Sequence, residues 1–393
     1  MTLGKYLMVY CKSGSKLPHS KFFLSVLASL VLLTACASDN KPGQDATKLT
    51  EFKQTAKFKV RWRKDIGIPD NNVLWPAVTP DGVFVANARG RLSQIDRITG
   101  NRIWQVDTGF NISAGAGAGG GLVLVGGMKG DVAAYEENGK LRWRTKVSSE
   151  VLSAPQIADG IVVVRTGDSR ITGLDASDGK RLWLYERATP ALIVRSQAEV
   201  AIKRSMVFAG FAGGRMVAIG LGNGTVIWEA VVSQPRGNTE LERISDITSV
   251  PVLDNDQVCA IAFQGQLACF GLEKGNLLWS REHSSDKGMA LLDNNLYVTD
   301  DKGAVLALDK ASGSSVWKND QLARRHTSTP YALGNYLLVG DYEGYLHALN
   351  RSDGSLVARL KTDGSDIMAT PVEMDGGILL QTSDGHLYSI ALH

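Results

Sequence analysis

The residues whose spacing first suggests chemistry are three glycines near position 115. Residues 113–127 read SAGAGAGGGLVLVGG, and Gly115, Gly117 and Gly120 match the G-x-G-x-x-G pattern of dinucleotide-binding folds. That pattern must follow a strand and open a helix, because the helix N-terminus holds the pyrophosphate. Here a second strand-like run follows, so the sequence favours a strand and turn made of small residues that pack near the centre of the fold.

Other catalytic patterns are incomplete. GLDASDGKR (173–181) has five residues between Gly173 and Gly179 where a phosphate-binding loop has four, and Arg181 stands where Ser or Thr is needed. The histidines lack the paired spacing of a zinc site, and there is no G-x-S-x-G elbow. We therefore expect no catalytic residue, no bound metal and no cofactor, and we expect that the protein is not an enzyme.

An internal repeat organises most of the chain. Aligned on a Gly-x-aliphatic core, eight related stretches recur with a period near 40 residues, as in KGAVLALDKASGSSVW (302–317). Short alternating strands with glycine turns at this period are typical of a propeller or solenoid. A tryptophan occupies one fixed position of the repeat, and we expect it to pack inside the fold. Trp75 lies outside that position, so its role stays open. The repeat tryptophans are Trp104, Trp143, Trp183, Trp228, Trp279 and Trp317, and the seventh stretch has Ala358 instead.

Counting the strands predicts how the ring closes. Seven hairpins are followed by their own tryptophan-type strand, whereas the eighth ends at His393. The missing strand is supplied by KFKVRWRKDIG, which contains Trp62 and precedes the first hairpin. We therefore predict an all-β fold, an eight-bladed β-propeller over 57–393 with four antiparallel strands per blade, closed by the N-terminal strand completing the C-terminal blade.

The N-terminus is typical of an export signal. Four lysines and no acid precede FFLSVLASLVLL (22–33), which is too short to span a bilayer. The following LTAC (33–36) resembles the lipobox of bacterial lipoproteins, so we expect 1–35 to be a signal peptide and Cys36 to be lipidated. Residue 37 is not the aspartate that retains such proteins in the inner membrane, which implies the periplasmic face of the outer membrane. Residues 36–56 are polar and lack periodicity, as a lipidated flexible tether would.

Charge and cysteine usage limit the functional classes. Residues 1–35 hold four of the 43 basic residues and none of the 40 acids, so the remainder is close to neutral and no nucleic-acid partner is expected. Cys259 and Cys269 flank two adjacent predicted strands. A disulfide and two separate buried thiols are both compatible with the sequence, and we favour the thiols because one residue of hairpin register decides whether the side chains face each other.

The repeat is interrupted at two consecutive places. From Trp183 to Gly214 the spacing is 31 residues and from Trp228 to Gly265 it is 37, whereas the other spacings run from 24 to 28. The extra residues fall in 185–203 and 231–251, in connectors between blades that emerge side by side on one face. Long loops on one face of a propeller usually bind partners. The ALIVR sequence at 191–195 puts apolar residues beside an arginine, which favours a protein partner.

The connectors carry a resemblance to a known family. The lipobox, the eight tryptophan-type repeats and TELERISDITSVP (239–251) resemble the BamB family, lipoprotein subunits of the outer-membrane β-barrel assembly machinery. The resemblance implies a non-catalytic scaffold that binds the polypeptide-transport-associated domains of the central barrel subunit, BamA, and assists insertion of outer-membrane proteins, with unfolded clients as a further candidate partner. It assigns partner binding to Leu192, Val194, Arg195 and Asp246, with Arg243 as an additional polar contact. Thr248 stands where the family has an acid, which puts a second charged contact in doubt.

A second class of function remains as the alternative. The repeat form in ALDKASGSSVW (307–317) also resembles the tryptophan-docking repeats of quinoprotein dehydrogenases, which are periplasmic eight-bladed propellers that hold pyrroloquinoline quinone and calcium. Those enzymes are longer and often carry a vicinal cysteine pair, which this chain lacks. Because a fold does not transmit an activity, we rank this dehydrogenase function below the scaffold function.

Overall fold

The structure is a ring of eight β-sheets. It is a computed structural model that describes residues 46–67, 74–190 and 192–393. Every helix or strand in those ranges is a β-strand, and the strands form eight four-stranded antiparallel sheets. The first strands of most neighbouring sheets pack together, so they surround the centre of the ring and the fourth strands form its outer edge. The predicted eight-bladed β-propeller is confirmed.

Blades 1 to 7 each take four consecutive strands, and blade 8 takes the last three strands and the first. The strands of blades 1 to 4 are β2 Ala77–Thr79, β3 Gly82–Ala86, β4 Arg91–Ile95, β5 Arg102–Asp107; β6 Ile112–Gly119, β7 Leu122–Gly127, β8 Asp131–Glu136, β9 Leu141–Lys146; β10 Gln156–Ala158, β11 Ile161–Arg165, β12 Arg170–Asp175, β13 Arg181–Glu186; β14 Ala201–Lys203, β15 Met206–Phe211, β16 Arg215–Gly220 and β17 Val226–Val231. Those of blades 5 to 8 are β18 Val252–Leu253, β19 Gln257–Ile261, β20 Leu267–Gly271, β21 Leu277–Arg281; β22 Gly288–Leu292, β23 Asn295–Thr299, β24 Val305–Asp309, β25 Ser315–Asn319; β26 Tyr331–Leu333, β27 Tyr336–Gly340, β28 Tyr345–Asn350, β29 Leu356–Lys361; β30 Val372–Met374, β31 Gly377–Gln381, β32 His386–Leu392 and β1 Phe58–Asp65.

The two ends of the described chain close the ring, as the strand count predicts. Strand β1 pairs antiparallel with β32, from Phe58 opposite Leu392 to Asp65 opposite His386. Beyond the strands, the Lys57 and His393 backbones exchange two hydrogen bonds of 2.8 and 3.1 Å. The pairing covers an edge of β32 that would otherwise be open, which stabilises the last blade.

Each repeat tryptophan joins its blade to the next one. Trp143 donates its indole N–H to the Ala176 carbonyl at 2.8 Å, and its ring covers the turn at Gly179. Gly179 has a φ of +73°, and a Cβ there would lie 2.6 Å from the ring, so only glycine fits. The same pairing of an indole with the next blade's carbonyl and turn glycine recurs for Trp62, Trp104, Trp183, Trp228, Trp279 and Trp317. The predicted packing role of these tryptophans is confirmed.

Ala358 replaces the tryptophan where the next blade offers no such turn. Blade 8 takes its outer strand from the N-terminus, so β32 is not followed by a turn and a fourth strand. The incoming chain fills the space instead: the Thr55 and Ala56 amides donate to the Val357 carbonyl at 3.0 and 3.2 Å. Ala56 is 2% exposed and lies in the same apolar cluster as Ala358. A large ring at position 358 would compete with this segment.

The glycine-rich stretch is the inner strand of blade 2, as predicted from the repeat. Strand β6 packs between β2 and β10, the inner strands of its two neighbours. A Cβ at Gly115 would overlap the Trp75 backbone, and a Cβ at Gly117 would overlap the Pro155 carbonyl. Close approach of neighbouring backbones therefore explains these glycines. It also shows one role of Trp75, whose carbonyl accepts a hydrogen bond from the Ala116 amide at 3.2 Å.

Cys259 and Cys269 form a disulfide, so the preference for two separate thiols is wrong. The cysteines are direct partners in the register of β19 and β20, with Cα atoms 4.1 Å apart, and both are fully buried. A shift of one residue would have placed the side chains on opposite faces of the blade. The register is that of the repeat: in all eight blades, residues ten positions apart pair across the second and third strands at this place.

Part of the predicted flexible tether lies against the ring. Residues 46–56 run along blade 7, where the Thr47 amide donates to the Ala323 carbonyl at 3.3 Å and Phe52 packs against a buried cluster. The segment forms no strand, which agrees with its lack of strand periodicity, although Thr55 and Ala56 at its end donate to β29. The predicted signal peptide (1–35), Cys36 and the rest of the tether lie outside the described residues. In the part of the chain that the structure describes, no helix is long and apolar enough to cross a membrane.

Candidate functional site

The two long connectors lie side by side on one face of the ring. The first connector (187–200) joins blades 3 and 4, and the second (232–251) joins blades 4 and 5; Ala191 is outside the described residues. The Val194 amide donates to Asp246 Oδ2 at 2.8 Å, and Ser196 Oγ donates to the Thr248 carbonyl at 3.1 Å. The predicted adjacency of the connectors is confirmed.

Asp246 holds the two connectors together from below the surface. It is 4% exposed, and its Oδ1 accepts a hydrogen bond from the Gly213 amide of blade 4 at 2.9 Å, while Oδ2 accepts the one from Val194. Its own carbonyl accepts the Phe263 amide of blade 5 at 2.8 Å. The side chain was predicted to contact a partner. Within the chain both of its carboxylate oxygens already accept partly buried backbone amides, and a contact of this side chain with a partner stays a prediction.

A partly buried arginine fixes the end of the first connector. Arg165 donates to the Ala198 carbonyl at 3.2 Å and to the Gly210 carbonyl at 2.6 Å. Burial lowers the pKa of the Arg165 guanidinium to about 10, so it stays charged at neutral pH. The arginine therefore ties the connector to blades 3 and 4 with charge-assisted hydrogen bonds.

Glu199 lies at the same end of the connector. Gln156 donates its side-chain amide to Glu199 Oε2 at 3.2 Å. Burial raises the pKa of the Glu199 carboxyl to about 7, and a hydrogen bond from the Ala154 backbone offsets only part of that rise. The sequence analysis missed both Arg165 and Glu199, because their partners belong to other blades or to the connector itself.

Leu192 and Arg195 of the first connector face water beside the brace. Leu192 is 43% exposed, and Arg195 is exposed, whereas Val194 is half-buried. The Arg195 guanidinium lies 3.6 Å from the Met128 sulfur, in the turn between β7 and β8 of blade 2. Met128 is 44% exposed and extends the apolar surface beyond the connector. The sequence analysis missed it because the turn keeps the normal repeat length.

The second connector contains a turn that is ordered by side-chain hydrogen bonds. Glu242 Oε2 accepts hydrogen bonds from the Asn238 and Thr239 amides at 2.8 and 3.1 Å, and Thr239 Oγ1 accepts the Glu242 amide at 3.2 Å. This reciprocal pattern is a capping box. The backbone hydrogen bonds, first that from Asn238, lower the pKa of Glu242. The turn presents Leu241, which is 67% exposed.

Arg243 leaves the same turn with its side chain exposed. Its Nε donates to the Gly237 carbonyl at 3.1 Å, and its guanidinium lies 3.5 Å from Glu240. Thr248, where the family has an acid, is half-buried and donates its hydroxyl to the Asp286 carbonyl at 3.4 Å. We call the exposed set the connector surface, and it consists of Met128, Leu192, Arg195, Leu241 and Arg243.

The described residues contain no cluster that suggests metal chemistry. Within 46–67, 74–190 and 192–393, no group of three His, Cys, Asp or Glu side chains could hold a metal ion. The GLDASDGKR stretch is the end of β12 and the turn to β13, and its Gly179 lies under Trp143. The arrangement on the connector surface is suited to binding a protein: apolar side chains beside arginines on a braced backbone.

Comparison with known proteins places these features in a family. The family model described as outer membrane protein assembly factor BamB matches residues 59–319. The BamB of Nitrosomonas eutropha is 41% identical over 384 residues, which cover 93% of this chain and 94% of that protein. The crystal structure of BamB from Moraxella catarrhalis matches with a TM-score of 0.79 at 26% identity, over 85% of this chain and all of that one.

A more distant likeness concerns the fold alone. The quinohemoprotein alcohol dehydrogenase of Comamonas testosteroni matches with a TM-score of 0.71 at 14% identity, over 88% of this chain and 78% of that one. The dehydrogenase shares the propeller, whereas the relative that covers nearly the whole chain is an outer membrane protein assembly factor. The chain belongs to the BamB family of outer membrane protein assembly factors.

Proposed function

We propose that this protein is a lipid-anchored scaffold at the periplasmic face of the outer membrane, which docks through the connector surface onto the polypeptide-transport-associated domains of BamA. Its relatives are outer membrane protein assembly factors, which supports a role in that process and an association with the outer membrane. Cys36 carries the lipid in this proposal. The protein contributes no catalysis and holds the barrel subunit in a geometry that assists insertion of outer-membrane proteins.

The observation that carries the proposal is the brace between the connectors. A loop that binds a partner loses less conformational freedom if it is ordered beforehand, and this gain appears as affinity. Asp246, Arg165 and the capping box of the second connector order the backbone beneath the exposed side chains. Asp246 and Val194 act in this proposal mainly by positioning, and Leu192, Arg195 and Arg243 make the contacts.

The chemistry of the connector surface favours a protein as the partner. Leu192, Met128 and Leu241 are each more than 40% exposed and lie on connectors or turns of neighbouring blades. Arginine is a favoured anchor at interfaces, because its fork can form two hydrogen bonds while its stem packs on apolar groups. Arg195 already packs on the Met128 sulfur and so is held over this surface.

The test is co-purification with BamA. Arg195→Glu should weaken binding of the periplasmic domains at least tenfold, since anchor residues of this kind contribute about 2 kcal/mol or more. Arg181→Glu is the matched control, because Arg181 is exposed on the outer strand of blade 3, away from the connectors. The thermal unfolding midpoint should be the same for both variants. Equal binding by both variants would refute the docking site, and unfolding of the Arg195 variant would assign that residue to the fold.

A further inference from the structure

A row of basic residues marks the outer edge of blade 8 and the segment that leads into it; Arg61 donates to the Asp375 carbonyl at 2.9 Å and Arg63 lies over the Tyr388 ring. Between Ala46 and Lys64 the chain has seven basic residues and one acid, Glu51, although the sequence beyond residue 35 is nearly neutral. We call six of them the basic rim: Lys48, Lys53, Lys57, Lys59, Arg61 and Arg63, all exposed. Among the described residues none of the six forms an ion pair.

Two residues of this row, Lys48 and Lys53, belong to a segment that is held in place by blade 7 and by the connector that leads into it. We call residues 46–56 the strap. Arg325, whose side chain is 3% exposed, donates to the Thr47 carbonyl at 3.0 Å, and Arg359 donates to the Thr50 carbonyl at 3.1 Å. The Arg359 guanidinium also lies over the Phe52 ring, 5.0 Å from its centre. The strap is therefore attached at several points along its length.

The two arginines are positioned by one buried centre. Asp341 is fully buried and accepts hydrogen bonds from Arg325 Nε at 2.8 Å and from His347 Nε2 at 2.9 Å. Arg359 Nε donates to His347 Nδ1 at 3.2 Å, which requires a neutral imidazole. Burial lowers the pKa of His347 and keeps that form at neutral pH. Thus the strap and β1 present their lysines and arginines from a fixed frame.

Protection of an exposed strand edge does not explain the row. Lysine on an edge strand discourages pairing with other chains, which fits β1 but not the strap, since the strap belongs to no sheet. The outer strand of blade 2, LRWRTK, offers a comparison within the ring. Its Arg142 and Arg144 lie 3.7 and 2.8 Å from Glu136 and Asp131, whereas the basic rim has no such acids.

We propose that the basic rim binds the surface of an anionic phospholipid bilayer and turns the blade 7 and blade 8 side of the ring toward the membrane. The inference rests on the proposed function, because the lipid on Cys36 limits how far the strap can lie from the bilayer. Nine residues lie between Cys36 and Ala46, so the chain from one to the other can span at most about 36 Å. A lipid on Cys36 therefore keeps the strap near the headgroups, where each lysine or arginine strengthens binding to anionic lipid about fivefold.

The strap makes this orientation more definite than a free tether would. If all of 36–56 were loose, the chain between the lipid and Lys57 could extend to roughly 75 Å, so the ring could turn freely. With 46–56 fixed on blade 7, the free length falls by half. Attachment at one covalent point and one charged surface then restricts the rotation of the ring relative to the bilayer.

The experiment measures the distance between the strap and the bilayer. The full-length lipidated protein, with Thr50→Cys as the labelling site, carries a donor dye and is reconstituted on vesicles that contain an acceptor lipid. Thr50 is exposed, and Cys259 and Cys269 are bonded to each other, so they do not compete for the dye. One set of vesicles is phosphatidylcholine, and the other contains about 30% phosphatidylglycerol, a composition that gives an anionic surface.

We expect energy transfer to be higher on the phosphatidylglycerol vesicles and to fall to the phosphatidylcholine value at high salt. Reversal of three rim residues, Lys53→Glu, Lys57→Glu and Lys59→Glu, should abolish the difference between the two vesicle types. The matched control reverses Arg181, Lys274 and Lys318, which are exposed, unpaired among the described residues and located on blades 3, 5 and 6. This control should behave like the parent protein.

Two results would overturn the inference: equal energy transfer on both vesicle types, or an equal loss in the rim and control variants, which would show an effect of net charge alone. Failure of the anchor is recognised separately, because the protein would not float with phosphatidylcholine vesicles. In that case binding to the phosphatidylglycerol vesicles tests the rim directly, with a loss of about 100-fold expected for the three rim reversals. Absence of that binding would also refute the inference.

Discussion

The Val194 amide and the Asp246 carboxylate are joined by a hydrogen bond of 2.8 Å, although the residues are 52 positions apart in the chain. The bond connects the first connector to the second, across blade 4. Asp246 also binds the Gly213 amide, so one buried side chain sets the relative position of three segments. The exposed residues of the connector surface depend on this brace for their placement.

Removal of the brace should loosen both connectors without unfolding the ring. Asp246→Ala leaves the Val194 and Gly213 amides without their acceptor, which should cost about 2–4 kcal/mol. Hydrogen exchange should accelerate at these two amides. Asp246→Asn keeps one acceptor oxygen and should give an intermediate effect. Unchanged exchange in Asp246→Ala would show that the bond does not order the connectors.

The contact between tryptophan and glycine can be separated from backbone strain by two substitutions. Gly179 and Gly160 have φ values of +73° and +76°, but a Cβ at Gly179 would meet Trp143, whereas a Cβ at Gly160 would meet nothing within 4 Å. Gly160→Ala should destabilise by roughly 1–2 kcal/mol from strain, and Gly179→Ala by about 1–3 kcal/mol more from overpacking. Urea unfolding measures both. Equal losses would contradict the docking account of the tryptophans.

Restoring the repeat tryptophan at position 358 should be harmful. Ala358→Trp places a ring where Thr55 and Ala56 meet Val357, so we expect a loss of about 1–3 kcal/mol and faster proteolysis at Lys53. Trp317→Ala, the opposite change one blade earlier, should cost about 3–5 kcal/mol without exposing the N-terminal segment. An Ala358→Trp variant more stable than the parent would show that the segment does not occupy this space.

Glu199 should make the stability of the first connector depend on pH. Its pKa is about 7 in the folded protein, against an ordinary value of 4.5, so the folded state holds the proton more tightly. The carboxyl group therefore favours folding below pH 4.5, and that contribution is lost as the pH rises through 7. Glu199→Gln should match the parent near about pH 5 and exceed its stability by about 1–3 kcal/mol near about pH 8.

Urea unfolding at a series of pH values provides that comparison. The control is Glu51→Gln, the same change at an exposed carboxyl group on the strap, outside the first connector. A Glu199→Gln variant whose stability follows the parent at every pH would mean that the carboxyl does not titrate in this range.

The fold was predictable because each blade repeats the same physical requirement. A tryptophan must cover a glycine turn on the next blade, so both residues recur at fixed spacing, and the exceptions carry information as well. Ala358 marks the blade that the N-terminal strand completes. The incomplete last repeat and the strand around Trp62 predicted the same closure.

What the sequence did not reveal depends on contacts between blades. The bracing role of Asp246 was not predicted, because the amides that it accepts belong to Val194 and Gly213, which are distant in the chain. Arg165 and Met128 contact the first connector from other blades and have no local pattern. Whether Cys259 and Cys269 can form a disulfide depends on the hairpin register to within one residue. In each case the missing information was the relative position of two segments.

The most direct test of the account is cross-linking in cells from the connector surface to BamA. A photoreactive residue at Leu192 should give a cross-link to this subunit, and so should one at Met128, although Leu192 lies in a connector between blades and Met128 in a turn within blade 2. The control position is Ile98, which is 83% exposed in the turn between β4 and β5, on the opposite face of the ring. The account predicts cross-links from 192 and 128 and none from 98. Cross-links from 98 with none from 192 would contradict it.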